Sequence, residues 1–228
     1  MVFVIDFDGT LALEDTVDAL LTKYAPAAWQ EVETEWLAGR ITAVECMRQQ
    51  IRMVDADRVA LEHFFRATVL DQSFLPFYRH VSAFSAVAIV SDGLDHVISI
   101  AMRNAGFPKI PVIANKLIFK PRGIDIAFPH LTPTCTAGNG VCKCAVARKL
   151  SGADAGPVVL VGDGNSDACL AGNADVVFAK SRLLAHCRQQ GITHTPFTTF
   201  SDVLAVVKTW PVPEPTQRAV QRLRAGGL

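Results

Sequence analysis

Three short runs of apolar, mostly β-branched residues, Val2 to Ile5, Val87 to Val90 and Val158 to Val161, each stop at a polar turn containing glycine. None alternates polar with apolar side chains as a half-solvated strand does. A strand that is apolar on both faces must be covered on both, which is the situation of a parallel sheet buried between helices. The turns read Asp6-Phe7-Asp8-Gly9-Thr10, Ser91-Asp92-Gly93 and Gly162-Asp163-Gly164-Asn165-Ser166-Asp167. Helical patterns follow two of them, and Val97, Ile98, Ala101 and Met102 carry one, with Gly106 placed to end it. Strand, polar turn and helix in alternation predict an α/β protein with a doubly wound parallel sheet.

The stretch 14–75 breaks this alternation and reads as a small helical insert, leaving 1–13 and 76–228 to form the α/β core. Val17, Leu20, Leu21 and Tyr24 have helical spacing. Pro26 fits a first helical position before Trp29, Val32, Trp36 and Leu37, and Gly39 ends that helix. Thr42 is placed to cap the next helix and Asp55 the one after it. The proline-interrupted region 109–140 reads as strands and loops near the site. The tail after Trp210, with Pro211, Pro213 and Pro215 before an Arg-rich segment, reads as a solvated end.

With 22 basic and 22 acidic residues among 228, the chain lacks the basic excess that phosphate-backbone binders carry. No window approaches the roughly 18–20 apolar residues of a bilayer span. The first ten residues hold Asp6 and Asp8 and no basic start, unlike a signal peptide. These features predict a cytoplasmic protein whose partner is a small molecule, neither nucleic acid nor membrane. The six cysteines, at 46, 135, 142, 144, 169 and 187, are then expected as free thiols.

Ligands of an open parallel sheet bind beyond the carboxyl ends of its strands. All three polar turns belong there, so Asp6, Asp8, Asp163, Asp167, Ser91 and Asp92 are expected at one site. So many carboxylates would resist ionisation together. A hard divalent cation with oxygen ligands relieves that, and Mg²⁺ is the usual one beside phosphate. Asp6 and Asp8, at i and i+2 of extended backbone, face the same side, so one can attack while the other gives and takes a proton. Gly9 and Thr10 offer amides to an anion. Ser91, at the start of a helix, adds the partial positive charge of the helix N-terminus.

The chain resembles the haloacid dehalogenase superfamily of phosphatases. Asp6-Phe7-Asp8-Gly9-Thr10 is similar to its first motif, Ser91 to its second and Gly162 to Asp167 to its fourth, while the helical insert is similar to its C1 cap. The third motif is a lysine. Lys143, at a plausible helix start, is the choice, with Lys149 as fallback and Lys120, before Pro121, less suitable. The resemblance implies Asp6 as nucleophile forming an aspartyl-phosphate, and Asp8 as general acid and then base. It implies Mg²⁺ held by Asp6, Asp8 (through its carbonyl) and Asp163, with Asp167 completing the shell or orienting Lys143. Phosphate is then held by Gly9, Thr10, Ser91, Asp92 and Gly93. Asp8 sets the chain apart from dehalogenases, which lack a second acid, and the insert's Lys23 reads as a solvated position.

The overall pattern resembles the phosphoserine-phosphatase-like branch. His130, Cys135, Cys142 and Cys144 around Lys143 are similar to the His- and Cys-rich stretch of the methionine-salvage phosphatases. The phosphoethanolamine/phosphocholine phosphatases share it and also have Ser-Asp, as in Ser91-Asp92, where the other groups have Ser-Gly. Cys135, Cys142 and Cys144 do not have a standard zinc spacing and read as a loop packed beside the site. Glu14 and Asp15 are the expected cap contacts to the substrate, and Arg40, Arg48 and Arg52 are either contacts to a second anion or solvated helix positions. Phosphoryl transfer to an alcohol, or phosphometabolite binding without catalysis, would use the same residues.

Overall fold

The computed structural model describes residues 1–211 apart from 122, 136 and 153–155; the Arg-rich tail lies outside the described residues. At its centre is a seven-stranded sheet of order β4-β3-β2-β1-β5-β6-β7. The strands are β1 (Val2–Ile5), β2 (Ala86–Leu94), β3 (Val112–Phe119), β4 (Ile124–Ala127), β5 (Val158–Gly162), β6 (Val176–Ala179) and β7 (Thr195–Pro196). Neighbours run parallel except for the antiparallel β3–β4 hairpin at one edge. The three apolar runs of the sequence are adjacent strands, with β1 between β2 and β5. Strand order therefore turns back at β1, and a crevice opens beyond its carboxyl end.

The helices are α1 (Thr16–Tyr24), α2 (Trp29–Leu37), α3 (Ala43–Arg52), α4 (Arg58–Arg66), α5 (Phe74–Val81), α6 (Asp95–Asn104), α7 (Lys143–Ser151), α8 (Ala168–Ala171), α9 (Ser181–Gln190) and α10 (Phe200–Val207). On one face of the sheet Phe3, Ile5 and Ile89 pack against Phe74 and Phe77 of α5 and Phe200 of α10. Phe3 meets Phe77 edge-on at 5.5 Å, and Phe74 meets Phe200 at 4.9 Å. Burying each such ring stabilises the fold by about 1.5–3 kcal/mol. On the other face Val4, Val90 and Leu160 pack against Ala147, Leu170 and Leu183 of α7, α8 and α9. Both faces are covered, as the unbroken apolar runs required.

The inserted helices α1 to α4 leave the core through a narrow neck. Ala12 bridges Leu70, Leu13 N–H donates to the Val69 carbonyl (3.0 Å), and Asp71 N–H to the Leu11 carbonyl (2.9 Å). Leu20, Leu21, Ile51 and Phe65 then share an apolar cluster with Leu94, Ile100, Leu117 and Ile126. The insert is thus seated on α6 and the β3–β4 hairpin. The expected insert boundary at residue 75 falls inside α5, whose Phe74 is buried in the sheet's core. No described helix is long and apolar enough to cross a membrane.

Three local expectations are corrected. The cap of α4 is Asp57, whose carboxylate accepts from Ala60 N–H at 2.8 Å; the amide of Asp55 donates instead to the Tyr24 carbonyl. Pro26 begins a turn, and α2 starts only at Trp29. Ser91 does not start a helix. The strand continues through it to Leu94, which pairs with Asn115 past an irregularity in register, and α6 begins at Asp95. Pairing of Leu94 with β3 carries the strand on past Ser91, where turn chemistry alone suggested a helix cap.

Candidate active site

Beyond the ends of β1, β2 and β5 lies a cavity of about 400 Å³. Asp6, Asp8, Ser91, Gly93 and Asp163 line its floor, while Glu14, Asp15, Glu33, Trp36 and Met47 line its roof. The first turn supplies most of the floor. The Ala12 amide reaches back to the Phe7 carbonyl (2.8 Å), winding 7–11 into one wide turn. Gly9 has φ +65°, a conformation that disfavours side chains, and a Cβ there would stand 2.4 Å from an Asp163 oxygen. The absence of a side chain at Gly9 lets Asp163 approach the first loop.

Lys143, the first residue of α7, is buried beneath the floor. Its ammonium lies 2.8 Å from Asp6 Oδ1 and 2.5 Å from Asp167 Oδ1. Asp167 is fully buried, and its Oδ2 accepts the amides of Asp163 and Gly164, both at 3.1 Å. Both oxygens of Asp167 are thereby engaged in holding the ammonium and the loop after β5. Burial alone would lower the lysine's pKa, but Asp167 and Asp6 together raise it, so it stays cationic. Lys149 is exposed on α7, and Lys120 pairs with Asp125 in the hairpin, so neither reaches the site.

Asp8 is held differently. Its Oδ1 accepts the amide and hydroxyl of Thr16 at 2.9 and 2.5 Å, and its Oδ2 accepts from Ser91 at 3.3 Å. Ser91 Oγ in turn accepts Gly93 N–H at 2.9 Å. A Cβ on Gly93 would sit 2.2 Å from Asp8 Oδ2, so the glycine makes room for the carboxylate. Burial raises Asp8 to about 7, and Asp15 adds to the shift. Near neutrality it is poised between proton donor and acceptor.

Asp6 is raised well above an ordinary carboxylate, by burial first and Asp167 next, and Lys143 restores only part. Asp163, with Thr10 donating to its Oδ1 at 2.8 Å, is raised to about 6, chiefly by burial. Asp6, Asp163 and Asp167 each offer an oxygen, all within 4.8 Å of one another. Three crowded carboxylates against one ammonium leave an excess of negative charge that oxygen-seeking Mg²⁺ would neutralise, so the donor set fits that ion. Cys135, Cys142, Cys144 and His130 are not gathered in this way among the described residues.

Other expected residues sit nearby in supporting positions. Asp92 lines the cavity, but its carboxylate accepts from Asn115 (3.1 Å) and Val141 N–H (2.9 Å), anchoring the segment before α7. The Gly9 amide donates to the Glu14 carbonyl at 3.3 Å. Asp15 caps α1 by accepting from Val17 and Asp18. The cap arginines look elsewhere: Arg40 pairs with Glu35, Arg52 with Asp125, and Arg48 lies over the Phe128 ring.

Sequence reasoning missed Thr16, Lys180 and Arg182. Thr16 follows Asp15 directly, and a threonine there is indistinguishable in sequence from an ordinary helix start. Lys180 ends the run Val176 to Ala179, so the strand-end rule would have found it; its ammonium donates to the Thr10 carbonyl at 3.3 Å. Arg182, two residues on, lines the cavity.

The family model described as haloacid dehalogenase-like hydrolase matches residues 3–172, which span the turns after β1, β2 and β5. A curated relative from Geobacillus kaustophilus, named 2-hydroxy-3-keto-5-methylthiopentenyl-1-phosphate phosphatase, is 30% identical over 93% of this chain and 97% of its own. Its namesake from Geobacillus thermodenitrificans is 31% identical over 90% and 94%. A solved phosphoserine phosphatase, described as a phospho-aspartyl intermediate analogue, superposes with TM-score 0.67 at 17% identity, covering 90% of this chain and 97% of that one. A HAD family hydrolase from Salmonella enterica serovar Typhi reaches 0.72 at 16% identity, covering 92% and 72%. At those identities the structures speak for the fold alone. With the family model running through the carboxylates and lysine just described, the chain belongs to the haloacid dehalogenase-like hydrolases.

Proposed function

We propose that the protein is a Mg²⁺-dependent phosphomonoesterase of the cytoplasm, acting on a small phosphorylated metabolite of the methionine-salvage type. The observation that carries this reading is the buried Lys143 bridging Asp6 and Asp167 under a cavity floored by Asp8 and Asp163. In this reading 14–75 is a cap over the core formed by 1–13 and 76–228. Asp6, Asp163 and the Asp8 carbonyl would hold Mg²⁺, with Asp167 behind them. The ion would supply charge neutralisation at the phosphoryl oxygens.

The Asp6 carboxylate attacks phosphorus, and Asp8 gives its proton to the departing alkoxide. Asp8 then takes a proton from the water that attacks the aspartyl-phosphate. A group near 7 serves both halves of that cycle. Lys143 balances charge at the nucleophile, and Ser91, with Gly9, Gly93 and the nearby Asp92, bounds the phosphoryl pocket, while Thr10 is buried behind it with its hydroxyl on Asp163. Monoester hydrolysis is among the slowest uncatalysed reactions, which favours splitting the step through a covalent intermediate.

The roof supports the choice of substrate. Val17, Trp36 and Met47 offer an apolar surface that suits a methylthio tail, and Asp18 and Glu33 would repel the carboxylate of phosphoserine. The same acids beside Trp36, with the Ser91-Asp92 pair, favour a second reading, in which the alcohol carries a cationic amine as in phosphoethanolamine or phosphocholine. Turnover of these four esters with Mg²⁺ separates the readings. Asp6→Asn assayed on an aryl phosphate tests the chemistry itself: activity is expected to vanish, and retained turnover would remove Asp6 from its role.

A further inference from the structure

We propose that Cys144 and Cys169 form a reversible disulfide that fastens the helix carrying Lys143 to the segment carrying Asp167. The two sulfurs stand 2.9 Å apart across α7 and α8. A covalent bond needs them closer by only about 0.9 Å, within reach of small side-chain rotations. Cys144 directly follows Lys143, and Cys169 lies two residues after Asp167. The thiol pair is therefore a second link between the segments that the buried 2.5 Å ion pair already joins.

Neither cysteine lines the catalytic cavity. Cys144 borders a separate cleft of about 240 Å³ shared with Arg148, Leu170 and Asn173, and Cys169 is half-buried. A small oxidant can reach the pair from that side without entering the active site. With hydrogen peroxide, two S–H bonds break and one S–S bond forms, and the two electrons and two protons reduce the peroxide to two waters. A dithiol returns the pair to two thiols by exchange and is itself oxidised to a disulfide. The closed loop spans 25 residues and contains β5, Asp163 and Asp167. Because the sulfurs are neighbours in the arrangement that also holds the ion pair, the oxidised form keeps the site's geometry. The bond acts as a lock on the catalytic segments and leaves turnover running.

The test uses the full chain, treated with hydrogen peroxide, alkylated and digested for mass spectrometry, beside melting curves and turnover of an aryl phosphate. A peptide linking 144 to 169 and lighter by two hydrogens is expected. The melting temperature should rise by about 4–10 °C, reversed by dithiothreitol and absent in Cys169→Ser and Cys144→Ala. Turnover should be the same before and after oxidation. The proposal is overturned if both residues are recovered alkylated, or if Cys135 links to Cys142 instead. Zinc released stoichiometrically from the purified thiols, or lost turnover in the linked form, also overturns it. Peptide mapping does not depend on the phosphatase reading, so failure of one leaves the other standing.

Discussion

The floor and the roof of the cavity follow opposite rules. On and beneath the floor, Asp6, Lys143 and Asp167 are no more than 6% exposed, and each is fixed by ion pairs or backbone amides. On the roof, α2 has no buried residue, Leu37 is 63% exposed, and Glu35 and Arg40 pair in solvent. The chemistry of phosphoryl transfer is the same for every ester, so its donors are worth fixing rigidly in a desolvated place. The alcohol portion differs between esters, and exposed side chains on a small docked insert can meet it with little cost to the fold. If this division holds, floor substitutions act on both kcat and stability, whereas roof substitutions act on KM.

The largest expected effect comes from Lys143→Met. Removing the ammonium leaves Asp6 and Asp167 buried with like charge, which costs about 3–5 kcal/mol of stability. With Asp6 as the proposed nucleophile, activity should fall on the order of 10³-fold or more, because its carboxyl then resists ionisation. Denaturant midpoints and kcat on an aryl phosphate read the two effects, and a stable, active variant would break the contrast at its strongest point. Gly93→Ala comes next. Its methyl would meet Asp8 Oδ2 at 2.2 Å and Ser91 Oγ at 3.1 Å. Under the proposed role of Asp8 as proton donor, displacing it should lower kcat by about 10–100-fold, with a stability loss of about 1–3 kcal/mol.

Glu33→Gln probes the roof. Glu33 Oε2 accepts from Gln50 Nε2 at 3.0 Å, and Gln50 is itself buried against the Trp29 carbonyl (3.3 Å). The amide keeps the shape and removes the charge. KM for a cationic ester should rise about threefold to tenfold, and KM for a neutral one should change little, with kcat unaffected in both cases. Equal effects on both esters would show that the roof does not read charge.

The same division explains what the sequence made legible. Floor residues lie within three positions of the end of a buried apolar run, so Asp6, Asp8 and Asp163 follow from strand ends alone, and Lys143 from a helix start. Asp167 and Thr10 are also local. Lys180 obeys the same rule after a run as long as β1, but neither a glycine turn nor a carboxylate follows that run to mark it. Thr16 was hidden because its role depends on the neck that folds the insert back over Asp8. The Asp55 and Ser91 misreadings share one cause. Both residue types favour helix caps locally, and in each case pairing with another element, of Asp55 itself with Tyr24 and of Leu94 just beyond Ser91 with Asn115, set a different path. Roof contacts depend on how the insert docks, through Ile51, Leu117 and Ile126, and no local pattern announces that.

The smallest effect concerns that docking. Arg52 of α3 reaches Asp125 of β4 with two bonds, at 3.1 and 3.2 Å, and Lys120 closes on the same carboxylate. Arg52 first, then Lys120, hold Asp125 well below the usual carboxylate range. Its folded pKa is therefore below the unfolded value of about 3.9. The pair's contribution is complete above that value and is lost as pH falls through the window between the two. Arg52 is 56% exposed, so water and salt screen the pair and its worth stays below about 1 kcal/mol. Wild type should exceed Asp125→Asn by a small, constant margin in urea midpoint from pH 5 to pH 8. That margin should shrink below about pH 4, and at high salt throughout. The apolar cluster under the insert does not titrate, so a margin that ignores both pH and salt would assign the seating of the roof to packing alone. A margin that follows both would mean that electrostatics helps decide how firmly the roof sits on the floor, and with it how easily product leaves.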